Sequence, residues 1–194
     1  MSLLIPPVDR HSDVREFGLR IPLEGFLYRQ VLRAKQEVQK LGDGFPLSYS
    51  KPHVTVSSIY IHMSNYRRLT EVLKHVESTK EFDFNILGVR HSARPDAEGY
   101  CTVFLELERN SLFSGIQDVI KQGLKSFVSP EHRKMPSPHI TIAQCKEACV
   151  DLVIKAIKPV EFEDAFKVTR LELLSRYGRE SWDWKTRHVI ELAR

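Results

Sequence analysis

Residues 52–56 read Pro52-His53-Val54-Thr55-Val56, and residues 138–142 read Pro138-His139-Ile140-Thr141-Ile142. One pattern serves both: Pro, His, a β-branched apolar residue, Thr, and a second β-branched apolar residue. Almost nothing else in the chain repeats. β-Branched residues at alternate positions favour a strand, in which residues i and i+2 share a face. The His and Thr of each copy therefore point one way while the apolar pair points into a core. A strand and a helix precede each copy, which implies a duplicated unit with an approximate two-fold relationship. In that arrangement the two His-x-Thr strands meet across one cleft.

Outward from the motifs the chain mixes both periods. Phe17, Leu19 and Ile21 alternate within residues 16–22 as in a half-buried strand, and Pro22 with Gly25 closes the run. Phe26, Leu27, Gln30, Val31, Ala34, Val38 and Leu41 follow helical spacing, with Gly42-Asp43-Gly44 as the stop. Residues 48–61 are β-rich around the first motif. Ser64 reads as the N-cap of a second helix, striped by Leu69, Val72, Leu73 and Val76 and ending near Ser78. Residues 82–89 and 101–107 form a hairpin around an irregular loop carrying Arg94-Pro95-Asp96-Ala97-Glu98-Gly99. A third helix begins near Ser111 or Ser114 and runs through Ile116, Val119, Ile120 and Leu124, before a polar loop from Ser129 to Ser137. Past the second motif the pattern predicts a short helix over 147–158, one strand over 166–174 and a last one over 187–192.

The 194 residues are 42% hydrophobic and 28% charged, enough apolar material for a real core and far from a disordered composition. No stretch approaches the roughly 18 unbroken apolar residues of a spanning helix. Nor does the N-terminal Met1-Ser2-Leu3-Leu4-Ile5-Pro6-Pro7 have a basic n-region, so the expectation is an intracellular protein, cytoplasmic or nuclear. Three cysteines, Cys101, Cys145 and Cys149, form no Cys-x-x-Cys and read as reduced thiols. The net charge of +4 is spread along the chain and permits an anionic ligand without demanding one.

Paired histidines suit acid–base chemistry, because with ordinary pKa values near 6.5 one imidazole can accept a proton while the other donates one. Phosphodiester hydrolysis needs those two proton transfers, plus donors to the equatorial phosphate oxygens, which threonine hydroxyls supply. Two His-x-Thr copies in a chain of this length resemble the 2H phosphoesterase superfamily, which includes RNA 2′,3′-cyclic phosphodiesterases once called 2′-5′ RNA ligases. The resemblance covers about Glu16 to Arg194. It implies a bilobal α+β fold over residues 1–194, a single domain of two similar lobes. Two antiparallel sheets with pseudo-two-fold symmetry would face a central groove, with helices on their outer faces. It further implies His53 and His139 as the catalytic imidazoles and Thr55 and Thr141 as phosphate-oxygen donors, with no metal and no cofactor. Which histidine is acid and which base stays open. The chain departs from the common His-x-Thr-Leu, since Val56-Ser57-Ser58 follows one copy and Ile142-Ala143-Gln144 the other.

Other readings stand beside this one. The histidines can be structural, or can bind zinc, although no third ligand stands at a recognisable spacing. Tyr177 and Arg179, with Trp182 and Trp184, can stack on a base or pair a phosphate, since the corresponding region of similar proteins borders the groove. Arg133 and Lys134, just before the second motif, can track an RNA backbone, but read first as a solvated loop. The expected activity is opening of a 2′,3′-cyclic phosphate or a related phosphodiester in RNA ends or small nucleotides. The alternatives are a non-catalytic nucleotide- or RNA-binding module, 3′-5′ trimming of RNA, and cleavage of 2′,5′ linkages. The expected partner is an RNA or nucleotide substrate, with no membrane, and the chain is expected to act as a monomer.

Overall fold

Strand alternation and its interruptions determine how this chain is laid out. The computed structural model describes residues 13–46, 50–177 and 183–194. In chain order its elements are β1 (Val14–Pro22), α1 (Gly25–Gln39), β2 (His53–His62), α2 (Tyr66–Lys74), β3 (Phe82–His91), β4 (Tyr100–Leu107) and α3 (Ser111–Leu124). They are followed by β5 (Arg133–Lys134), β6 (His139–Lys146), α4 (Val150–Ile157), β7 (Ala165–Val168), β8 (Arg170–Arg176) and β9 (Lys185–Glu191). Strand, helix, motif strand, 3₁₀ turn and helix occur in that order twice, from β1 to α2 and from β4 to α4, with a further 3₁₀ turn (Pro130–His132) and β5 inserted in the second run. Among the described residues no helix is long and apolar enough to cross a membrane.

The chain is α+β, but its strands do not part into two sheets. They follow one antiparallel path, β7-β3-β4-β6-β2-β1-β8-β9, with β5 on β2. The two motif strands are thus neighbours rather than partners facing across a cleft. They are joined by the single residue pair Val54↔Ile140.

The reason they part so soon is a pair of matching bulges. On β1 the partner of Leu19 is Ser57 and that of Arg20 is Thr55, so Val56 is the extra residue. On β4 the partner of Val103 is Ala143 and that of Phe104 is Thr141, so Ile142 is the extra residue. A bulge bends its strand and sharpens the twist, and each falls directly after its His-x-Thr. Beyond the bulges each strand finds a new edge: β2 pairs β5 through Ser58↔Lys134 and Ile59↔Arg133, and Gln144 N–H donates to Pro46 O at 2.8 Å.

The helices cover the apolar face. Leu27, Val31, Ala34 and Val38 of α1 and Phe113, Ile116, Ile120 and Leu124 of α3 join Val54, Val56, Ile140 and Ile142 in one buried cluster. Each long helix crosses to the other half, α1 packing on β6 and α4, and α3 on β2 and α2. The α2–α3 approach is so close that a Cβ on Gly123 would sit 2.5 Å from Val72 Cγ1.

Two local expectations need correction. Ser64 does not cap α2: it lies in the 3₁₀ turn Met63–Asn65, where its N–H donates to His62 Nδ1, and α2 starts at Tyr66. α3 does begin at Ser111, one of the two starts expected, and Asn110 caps it, its side chain accepting from Leu112 N and Phe113 N at 2.9 and 3.2 Å. The single strand expected over 166–174 is two, β7 on β3 and β8 between β1 and β9. The alternation slips phase there, from Phe166 and Val168 to Leu171 and Leu173, and the chain passes at Thr169 from one end of the sheet to the other half.

Candidate active site

Val54 and Ile140 are fully buried, so their neighbours His53, Thr55, His139 and Thr141 lie on the opposite, open face, each half-buried. Extending the antiparallel register by one residue on either side sets His53 across from Thr141 and Thr55 across from His139. The four residues form a square with the two imidazoles on a diagonal, a separation of roughly 7–8 Å between backbone positions. The burial sequence is the same in both copies for the seven residues from each His onward.

Each imidazole is oriented by its own chain. His53 Nδ1 lies 2.7 Å from Lys51 O, and His139 Nδ1 lies 2.8 Å from Ser137 O. A carbonyl oxygen only accepts, so each Nδ1 carries the hydrogen and each Nε2 is left for exchange on the open face. Both carbonyls belong to the residue before a proline, Pro52 or Pro138, which holds that residue extended. This explains why the repeat begins at Pro. Phe104, the β4 partner of Thr141, meets the His139 ring edge-on at 5.3 Å between centroids.

Burial first, and then the Arg20 guanidinium, push the His53 imidazole down to about 3 from its ordinary 6.5; Lys35 and His139 act the same way, against the Lys51 hydrogen bond. At neutral pH His53 is therefore an uncharged ring with a free lone pair.

Arg20 is a residue that sequence reasoning missed. It is the β1 partner of Thr55, as Phe104 is the β4 partner of Thr141, so one half of the site offers a cation where the other offers an aromatic ring. Its guanidinium lies 4.0 Å from the centre of the Trp184 ring, against which Arg176 also packs at 4.6 Å. Gly18 makes the room, since a Cβ there would stand 3.2 Å from Arg20 Nε and 3.3 Å from Trp184 Cζ3. Glu16 is taken by Arg176 at 2.7 Å and Glu172 faces Arg170 at 3.7 Å, which leaves Arg20 in no ion pair among the described residues.

Tyr177 is exposed; its hydroxyl accepts from Arg15, whose guanidinium also lies 3.9 Å over its ring. Arg15 alternates with Glu16 on β1, so its parity is opposite to that of Arg20. Arg179 and Trp182 lie outside the described residues. Arg133 donates to Lys121 O at 2.7 Å and so ties β5 to α3.

Comparison with known proteins agrees with this layout. The profile of the 2′-5′ RNA ligase superfamily matches residues 29–180, which include both motifs and the strands that carry them. The chain belongs to this superfamily. Among solved structures of its fold, Escherichia coli LigT in apo form superposes with a TM-score of 0.69 at 14% identity, over 94% of this chain and 100% of that one. LigT complexed with 3′-AMP gives 0.66 at 14% identity over the same shares. A further phosphoesterase gives 0.59 at 12% identity, over 93% of this chain and 99% of that one. No curated protein sequence is significantly similar. At these identities the superfamily likeness in structure is a likeness of fold.

Proposed function

We propose that this superfamily member is a metal-independent phosphoesterase that opens a 2′,3′-cyclic phosphate, or cleaves a related phosphodiester, at RNA ends or in small nucleotides. The observation that carries the reading is the diagonal pair of imidazoles, each with Nδ1 fixed by a carbonyl and Nε2 free between two threonines. The complex of LigT with 3′-AMP, a relative in fold, supports a nucleotide ligand.

In the reaction, a water attacks phosphorus and forms the new P–O bond. His53, uncharged at neutral pH, takes the proton of that water on Nε2. As the P–O bond to one ribose oxygen breaks, His139 delivers a proton from its Nε2 to that oxygen. The products are a phosphomonoester and a free ribose hydroxyl, and solvent resets the two protons. Thr55 and Thr141 donate to the equatorial oxygens, and Arg20 offsets their charge from the β1 side. Preorganised donors of this kind are worth about 3 kcal/mol each in a water-poor site. The bound phosphate also counters Arg20, which lifts His53 toward the range of a useful base.

The test is incubation of the protein, with chelator present, with a nucleoside 2′,3′-cyclic monophosphate and with RNA ending in a cyclic phosphate. Products are separated by chromatography. Ring opening of either substrate is expected. Loss of activity to chelator, or no turnover of either substrate nor of linear 3′-end and 2′,5′-linked oligonucleotides, overturns the reading.

A further inference from the structure

α1 and α3 each send one polar side chain into the seam between the motif strands. Lys35 of α1 is fully buried, and its ammonium donates to Ile142 O at 3.2 Å and to Ser50 Oγ at 3.1 Å. Gln117 of α3 donates through Nε2 to Val56 O and to Pro136 O, both at 2.9 Å. Val56 and Ile142 are the two bulge residues. Ser50 and Pro136 both stand three positions before a motif histidine. The two side chains thus make the same pair of attachments with the halves exchanged. α1 leads into β2 but holds the bulge of β6, while α3 leads into β6 but holds the bulge of β2.

A bulge leaves its extra residue out of the ladder, and a buried backbone carbonyl without a donor costs about 1–3 kcal/mol. Any donor would answer that need. What the need does not explain is the second attachment, to the segment that enters the other motif strand. Each side chain therefore spans both strands, where the ladder itself supplies only Val54↔Ile140. The residue types differ, Lys at one seam and Gln at the other, so the recurrence is one of role, and no sequence repeat displays it.

We propose that Lys35 and Gln117 are positioning residues that set the separation of the two His-x-Thr faces, and with it the fit of one phosphate between His53 and His139. This rests on the phosphoesterase reading. A misplacement near 1 Å at a reacting centre costs on the order of a hundredfold in rate, so a seam held by two side chains governs turnover more than affinity.

The test compares Lys35→Met and Gln117→Leu with the wild type, and with Lys35→Gln, which keeps a donor of the kind used at the other seam. In folded variants kcat for the cyclic phosphate is expected to fall at least about tenfold, with KM changed less than about threefold, and Lys35→Gln to keep more activity than Lys35→Met. A lowered melting temperature with kcat within about twofold of wild type overturns the proposal and leaves a structural role only. If Lys35→Met or Gln117→Leu does not fold, Ser50→Ala, which takes away one attachment of Lys35, and Gln117→Asn decide by the same criteria. A wild type that turns over neither a cyclic phosphate nor a linear 3′-end or 2′,5′-linked oligonucleotide refutes the phosphoesterase reading, and the imidazole NMR signals then decide the positioning role. Inorganic phosphate is expected to move the His53 and His139 signals at one midpoint in the wild type and at separate midpoints in the Met and Leu variants. A common midpoint in those variants, or none in the wild type, overturns the proposal.

Discussion

Lys35→Met has a consequence for stability that can be worked out in advance. The ammonium is fully buried on α1, and burial pulls it down to about 7 from 10.5. The folded-state value lies below the unfolded one. Between the two, the unfolded chain binds a proton that the folded chain does not, and wild-type stability therefore rises with pH through that window. For one site with these values, linkage gives a gain of about 3 kcal/mol between about pH 6.5 and about pH 9.5. Met has nearly the same length and does not titrate, so it removes this slope. It also takes away the donor to Ile142 O, a loss of about 1–3 kcal/mol that does not depend on pH. Urea unfolding of both proteins at the two pH values separates these effects, because every other titrating group is common to both. The difference between variant and wild type is expected to move in the variant's favour by about 3 kcal/mol as pH falls. A difference constant to within about 0.5 kcal/mol would refute the reasoning, since it would mean that Lys35 keeps an ordinary pKa in the folded chain.

Other outcomes follow from the site and the packing. Arg20→Gln is expected to raise KM for a cyclic phosphate by about tenfold or more, the effect of losing one charge-assisted bond to the phosphate. It is also expected to raise the His53 pKa in an NMR titration, since Arg20 lowers it. His53, held near 3 against an ordinary 6.5, takes up its proton in the unfolded chain first, so it makes the fold less stable as pH falls through that window. The measurement is urea unfolding across that range, and His53→Asn is expected to show a shallower decline. Gly123→Ala is expected to destabilise by about 1 kcal/mol or more, despite the better helix propensity of Ala, because its Cβ would stand 2.5 Å from Val72 Cγ1. Val72→Ala in the same chain is expected to recover most of the melting temperature.

Most of the elements were legible because their periods are clean. Phe17, Leu19 and Ile21 mark β1, and Leu27, Val31, Ala34 and Val38 mark α1, with boundaries within a few residues of those observed. The His-x-Thr repeat likewise put both histidines and both threonines on one kind of face. What the sequence hid was register. A row of alternating residues shows that Arg20 points away from the core, yet only the pairing of β1 with β2 makes it the neighbour of Thr55. The joining of two expected sheets into one rests on a single residue pair, a signal too small to read from composition. The bulges left a trace, the adjacent buried residues Val56-Ser57 and Ile142-Ala143, which break strict alternation directly after each motif. Lys35 left one too: it stands within the apolar stripe of α1, four positions after Val31 and three before Val38, where a surface lysine does not belong. Ser64 misled because a 3₁₀ turn intervenes before α2.

The most direct test of the central claim is single-turnover opening of a nucleoside 2′,3′-cyclic monophosphate by the wild type, His53→Ala, His139→Ala and the double variant. Two imidazoles acting in one step as base and acid are not additive. Each single variant is expected to lose at least about a thousandfold, within the range that removal of an acid or base gives, and the double variant to be little worse than either. A folded single variant within about tenfold of wild type would contradict the paired-histidine account.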